Sequence, residues 1–372
     1  GQGYNQRGTL SIVAVEEGPS TVTIVPPEPV SEGVDFRGAM QATMHKLISP
    51  LPNQAWTEIL ERGEVLNVQS GPFADLSGTL VLSDQKLAVF AGTRCSNIPD
   101  QTPRCDHLEH QMLPLRNQGR NYIAPGGLPR DSESTWYRVV ATVDQTIINT
   151  NPVLPNTPII LNAGQVATLS SDQPFALNSN APVMLGMFLA SAEAGAAGVG
   201  DPSFVLLPPV EQFKDRYVFL TPDDFERDGL TLIANGEAMV TLDGQLIDTT
   251  WTAVSDTTWK VAHLDISDGP HEISSAQEFA IIATGYDEEV SYAFTGGLRL
   301  EKLRESEPPP YVGLCAAGEA PETPCETGLS GVCSVARARA RKPKDELQTG
   351  SSGSFISDGR VRTDEFGQAS SD

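Results

Sequence analysis

Two cysteines, Cys95 and Cys105, close a ten-residue step in the stretch RCSNIPDQTPRCDHLEH, and Asp106, His107, Glu109 and His110 follow directly. Thiols, imidazoles and carboxylates this close support three chemistries. His107 and His110, three residues apart, could share a metal ion on a helical turn with Cys105 or Asp106 assisting. A thiolate held by an imidazole could act as a nucleophile. A disulfide could simply clip the loop that carries Pro99 and Pro103. Structural zinc sites use cysteine pairs two to four residues apart, which the chain lacks, and Cys105 and His107 are too near in sequence to face each other readily. The residues therefore favour the clip, with no metal and no cofactor. Chain-entropy reasoning gives such a clip roughly 2–3 kcal/mol.

The residues after the clip then need a structural role. Asp106 is placed to cap a short helical turn over 106–112, with Glu109 reaching back in a capping-box arrangement. Leu108 and Met112 would share one face of that turn. Asp106, His107, Leu108 and Glu109 are thus expected to form a structural latch between a first and a second module.

Other polar clusters are weaker. GDPSF (200–204) resembles Gly-Asp-Pro-His self-cleavage motifs with Ser203 in the histidine position, and reads as a turn entering a strand. Asp223, Asp224, Glu226 and Asp228 lack the spaced ligands and central glycine of a calcium loop and read as a solvated loop. No glycine-rich phosphate loop, Gly-x-Ser-x-Gly or His-Glu-x-x-His occurs. Trp136, Trp251 and Trp259 are the aromatic residues that would serve a binding face if exposed, and strand packing otherwise.

The elements that must position these residues recur. LSIVAVEEGPSTVTIV (10–25), YRVVATVDQTIINT (137–150) and LTLIANGEAMVTLDG (230–244) each read as two β-runs around a turn, and Asn235-Gly236 signals a tight hairpin. Each is followed by a strand, a polar turn and a mostly apolar strand: 80–93, 175–188 and 272–286. Two segments opening Leu-Pro and closing in a Tyr-led strand, 113–125 and 207–222, complete the pattern. The unit repeats about every 90–125 residues. The expected fold is all-β, as three tandem sandwich-like modules over 1–130, 131–224 and 225–303. A short helix is expected at 53–63, capped by Asn53 and ended by Gly63. Residues 304–372 read as a Pro-rich linker, a segment holding Cys315, Cys325 and Cys333, and a disordered tail.

The chain has 372 residues, 39% hydrophobic and 20% charged, with a formal net charge of −23. That balance disfavours nucleic acid as a partner. No apolar run is long enough to span a membrane as a helix. Cysteines clustered in irregular sequence fit an oxidising compartment. The start at GQGYNQ shows no leader pattern, as expected of a chain whose signal peptide was removed or of a piece of a longer protein.

The run Cys105-Asp106-His107-Leu108-Glu109 with Gln111 and Pro114, together with YRVVAT (137–142), GDPS (200–203) and Gly285, Tyr286, Ser291, Tyr292, Gly296 and Gly297, resembles the N-terminal domain of the IgGFc-binding protein family over roughly residues 10–300. The resemblance is fairly specific in its Cys-Asp-His-Leu run and more so in the ordered set. It offers no catalytic residues to carry over. It implies a secreted or cell-surface protein, and the three-cysteine tail and Ala-Arg-rich segment look like a bacterial member. The expected function is non-enzymatic adhesion or surface structure, binding a protein or glycan through module faces, with self-association into homo-oligomers or filaments compatible with it. The alternative is an accessory binding part of a larger secreted enzyme.

Overall fold

Burial alternates along the first strand, Gly8–Ala14 (β1): Leu10, Ile12 and Ala14 face inward and the residues between them are half-buried. A period of two turns every second side chain into one core, which is what a strand in a two-layer sandwich requires. The computed structural model describes residues 7–27, 30, 53–72, 74–130, 132–195 and 198–303. The linker, the three cysteines and the tail expected at 304–372 lie outside the described residues. Among the described residues there are strands and two 3-10 turns, and no helix long and apolar enough to cross a membrane. All strand pairings are antiparallel.

The first module contains β1, β2 (Ser20–Val25), β3 (Trp56–Leu60), β4 (Val65–Gln69), β5 (Leu80–Ser83), β6 (Leu87–Ser96) and β7 (Asp106–Gln111). They form two sheets, β4-β1-β6-β7 and β3-β2-β5. Ile12, Ile24, Leu60 and Leu66, all fully buried, fill the space between them.

The second sheet system contains β8 (Gly119–Ala124), β9 (Thr135–Ala141), β10 (Thr146–Asn151), β11 (Ile159–Leu161), β12 (Val166–Ser171), β13 (Phe175–Phe188) and β14 (Phe204–Leu206). The third contains β15 (Lys214–Thr221), β16 (Arg227–Asn235), β17 (Val240–Leu242), β18 (Gln245–Leu246), β19 (Thr252–Ala253), β20 (Trp259–Ile266), β21 (Gly269–Asp287) and β22 (Val290–Thr295). Strand β8 falls within the 1–130 segment but pairs with β13, and β15 falls within 131–224 but pairs with β21.

One topology recurs three times. In the second module β9 pairs with β12 and β13, β10 with β11 and β13, and β13 with β14. The third repeats this with β16, β20, β21, β17, β18 and β22. The first repeats it with the long strand cut at Asp84–Lys86 into β5 and β6. The long strand serves both layers, one half in each, and is irregular at the bend, between Asn178 and Val183 in β13 and opposite Lys214 and Arg216 in β21. A bulge there turns the strand from one layer to the other.

Three local expectations are corrected. Residues 106–112 are not a helical turn. They form β7, paired with β6 from Phe90↔Gln111 to Ser96↔Asp106. A seven-residue polar helix is marginal alone, whereas β6 has an open edge to be satisfied. Residues 53–63 contain β3, paired with β2. Gly63, at φ +80°, belongs to the turn that joins β3 to β4. The two runs of each expected hairpin are not partners: β1 and β2 lie in different sheets, and neither β9 and β10 nor β16 and β17 pair. Asn235 and Gly236 keep negative φ, and the Gly236 amide donates to the Thr258 carbonyl at 2.6 Å. Each turn carries the chain across the sandwich instead of back along its own sheet.

The second and third modules share apolar cores. Ile282 and Tyr286 of β21 pack into the second module's core, and Ile123 and Ala176 join Phe213, Ile233 and Val261 in another cluster. The first module's cluster contains only its own residues.

Candidate functional site

The Cys95–Cys105 disulfide closes the neck of a loop, with Cα atoms 5.2 Å apart. Within it Asn97 donates to the Thr102 carbonyl at 2.5 Å and the Thr102 amide to the Pro99 carbonyl at 3.1 Å. The loop lies on the second module. The Ile98 amide donates to Ser191 Oγ at 3.0 Å, and the Ser191 amide donates back to the Ile98 carbonyl at 2.7 Å. Arg104, held at φ +69°, pairs with Glu193 at 3.2 Å and with Glu289 at 2.8 Å. The clip thus orders a loop that touches residues from both later modules.

Beneath the loop is a cleft of about 230 Å³, lined by Ile98, Pro99, Asp100, Trp136, Arg138 and Phe188 among others. Trp136 and Arg138 are two apart on β9 and so share a face. Phe188, the last residue of β13, stands opposite Trp136 in the ladder. The Phe188 ring lies under the Arg138 guanidinium at 5.7 Å and stacks on Phe204 at 4.7 Å and 10°. His110 of β7 meets the Phe204 ring edge at 5.6 Å. Arg138 also pairs with Asp75 of the first module at 2.7 Å. Aromatic stacking and cation–π contact fix this wall before any ligand arrives.

Of the residues expected after the clip, Leu108 is buried, and His107 and Glu109 face solvent 3.5 Å from each other. Asp106 accepts the amide of His107 at 2.6 Å, so it caps no helix. Within 95–111, the side chains and backbone that meet the second module include Ile98, Arg104 and His110. Burial lowers the His110 pKa, and the ring nitrogen Nδ1 lies 2.8 Å from the Gln111 carbonyl. No group of three His, Cys, Asp or Glu side chains among the described residues could hold a metal.

The three tryptophans separate. Trp136 lines the cleft. Trp251 packs on the third module's core, with Lys260 Nζ 4.4 Å from its ring centre. Trp259 meets Phe213 edge to face at 5.4 Å in the core shared by two modules. Sequence reasoning missed Arg138, Phe188 and Ser191. The first sits inside the YRVVAT run and the second ends the apolar strand 175–188, so the repeated unit was the available signal.

GDPS forms a knot behind the loop. Gly200 has φ +72°, and a Cβ there would strike Arg130 and Tyr286. Ser291 Oγ donates to the Asp201 carbonyl and lies 3.0 Å from Ser203 Oγ. Asp201 is buried, and its Oδ1 has no hydrogen-bond partner among the described residues. Burial first, then the charge of Asp106, raises its pKa to about 6. A second cleft, of about 390 Å³, lies on the other side of Arg130, at the seam of the second and third modules.

Three antiparallel repeats, with an aromatic cleft under a disulfide-clipped loop, define a modular all-β protein. A family model described as IgGFc binding protein matches residues 1–285, and the chain belongs to that family. Comparison with curated proteins and with solved structures returns no match.

Proposed function

We propose that the chain is an extracellular, non-enzymatic adhesion or surface protein that binds a protein ligand in the loop cleft, its modules divided by sheet membership near residues 113 and 207. The observation that carries this is the cleft itself: Trp136 and Phe188 stand opposite each other and only partly buried, under a loop held by Cys95–Cys105. A volume of about 230 Å³ is below the range of about 300–1,000 Å³ usual for whole small-molecule sites. It suits one or two anchoring side chains of a larger ligand. A rigid aromatic pocket rimmed by Arg138 and Asp100 is the arrangement in which few residues supply most of the affinity. The family name makes immunoglobulin Fc the first ligand to test.

The test measures binding of immunoglobulin Fc, and of arrayed extracellular proteins and glycans, to the wild-type chain and to Trp136→Ala. The variant is expected to lose at least about 2 kcal/mol of affinity for a protein ligand, the cost of removing an aromatic anchor, with unchanged circular dichroism. A protein ligand bound equally by both would place the site elsewhere. Ligands found only among glycans would overturn the protein-binding reading.

A further inference from the structure

We propose that the cleft at the seam of the second and third modules is a second binding site, which takes a guanidinium or ammonium group from a partner polypeptide. The proposal does not depend on the loop cleft. The seam cleft, about 390 Å³, lies within the size range of ligand sites, about 300–1,000 Å³. Its walls come from two modules that share a core, so its shape is fixed by packing.

Its charges decide what it can hold. Arg130 is the only arginine or lysine in the lining, and all three of its nitrogens are occupied. Nε pairs with Glu133 at 2.7 Å, Nη1 donates to the Val199 carbonyl at 2.8 Å, and Nη2 to the Ala190 carbonyl at 2.9 Å. The guanidinium also lies over the Tyr286 ring at 5.0 Å. These bonds use three of its five N–H donors, and its charge is balanced by the Glu133 carboxylate, which is buried beside it.

His263 does not supply a cation either. Its Nδ1 is 3.0 Å from Thr231 Oγ1, and burial and Arg227 lower its pKa to about 4, so the ring is neutral and offers only hydrogen bonding. On the rim, Asp172 is exposed and makes no ion pair among the described residues. It is held on a turn by Ser171, whose hydroxyl donates to the Gln173 carbonyl at 2.7 Å and accepts from the Gln173 amide at 3.1 Å.

The uncompensated formal charge of the lining is therefore negative, and Gln173 and Thr252 add neutral polar side chains to it. A planar guanidinium can pair with such a carboxylate through two parallel hydrogen bonds. The net charge of −23 adds long-range attraction for a basic partner.

The experiment uses the full chain, with a tri-arginine peptide and a tri-glutamate peptide as probes, by calorimetry at low ionic strength. Tri-arginine is expected to bind and tri-glutamate not. Asp172→Asn should weaken tri-arginine about tenfold, the loss of one charge pair. Thr252→Trp, on an exposed edge strand, should fill the cleft and abolish binding. Glu61→Gln on the first module, and Trp136→Ala in the loop cleft, should leave it unchanged. Absence of tri-arginine binding would overturn the proposal. So would binding that keeps wild-type strength in both Asp172→Asn and Thr252→Trp, since that would be attraction to the whole acidic chain. Circular dichroism of Thr252→Trp checks its fold, and Asp172→Asn, on an exposed turn, decides the matter if that variant fails to fold.

Discussion

Asp201 shows how one residue couples three modules. Its carboxyl is buried where Asp106 of the first module and Glu289 of the third both add negative charge, opposed by the Ala192 amide and Arg130. Its pKa near 6 in the folded chain exceeds the unfolded value of about 3.9. Folding therefore takes up a proton between these two values, and stability falls as pH rises through that window. Above it the ionised group remains a cost on the order of 3 kcal/mol. Asp201→Asn keeps an acceptor for the Ala192 amide and removes the charge. It should raise stability at pH 7.5 and change it little at pH 3.5, as read by denaturant melts. Equal destabilisation at both pH values would show that the carboxylate is needed for its hydrogen bonds alone. At this scale the sequence was partly legible. Cys95, Cys105 and Trp136 could be singled out by type and spacing. Arg138, Phe188 and Ser191 could not, because their partners lie far along the chain and are joined only by strand pairing.

The strands carry the clearest sign of repetition. Tyr122 of β8 accepts the Gly119 amide at 3.3 Å and donates to the Val183 carbonyl at 2.5 Å. Tyr217 of β15 accepts the Lys214 amide at 3.0 Å and donates to the Phe279 carbonyl at 2.5 Å. Both carbonyls stand just past the bend of a long strand, where the ladder is interrupted. The hydroxyls are buried, which raises both phenol pKa values. Tyr122→Phe and Tyr217→Phe should each cost about 1–3 kcal/mol, because each leaves a buried carbonyl and an amide unpaired. Denaturant midpoints will check this, and a neutral result in either would mean that water replaces the hydroxyl at the bend. The repeat order was readable from apolar runs and Leu-Pro…Tyr segments. The pairing was not, since alternation marks which face is buried but not which strand lies beside it. Residues 106–112 were misread because Leu108 is the only strongly apolar side chain of β7 that is fully buried, so a period of two had nothing to repeat. The place of β7 in the first module equals that of β22 in the third.

Across the whole molecule the two junctions differ in kind. The second and third modules bury Tyr286, Ile282 and Ile123 in common apolar clusters. Each such side chain is worth about 1.5–3 kcal/mol. The first module meets the others through the Ile98–Ser191 hydrogen bonds, the Arg104 and Arg138 ion pairs, the His110–Phe204 contact and a close approach of backbones, where a Cβ on Gly78 would fall 2.0 Å from the Gly164 carbonyl. Exposed ion pairs contribute only about 0–1 kcal/mol each. The polar junction is therefore too weak to force the first module to unfold with the rest, whereas the shared cores should make the second and third cooperate. Calorimetry of the full chain should resolve two transitions. Leu66→Ala, in the first module's core, should cost about 2–5 kcal/mol and shift one transition. Ile282→Ala should cost a similar amount and shift the other, which should report both later modules. If either variant moved every transition together, the loop and its disulfide would be transmitting stability across the junction. The latch between modules would then be the clipped loop, through Ile98 and Arg104, and not the segment that follows it.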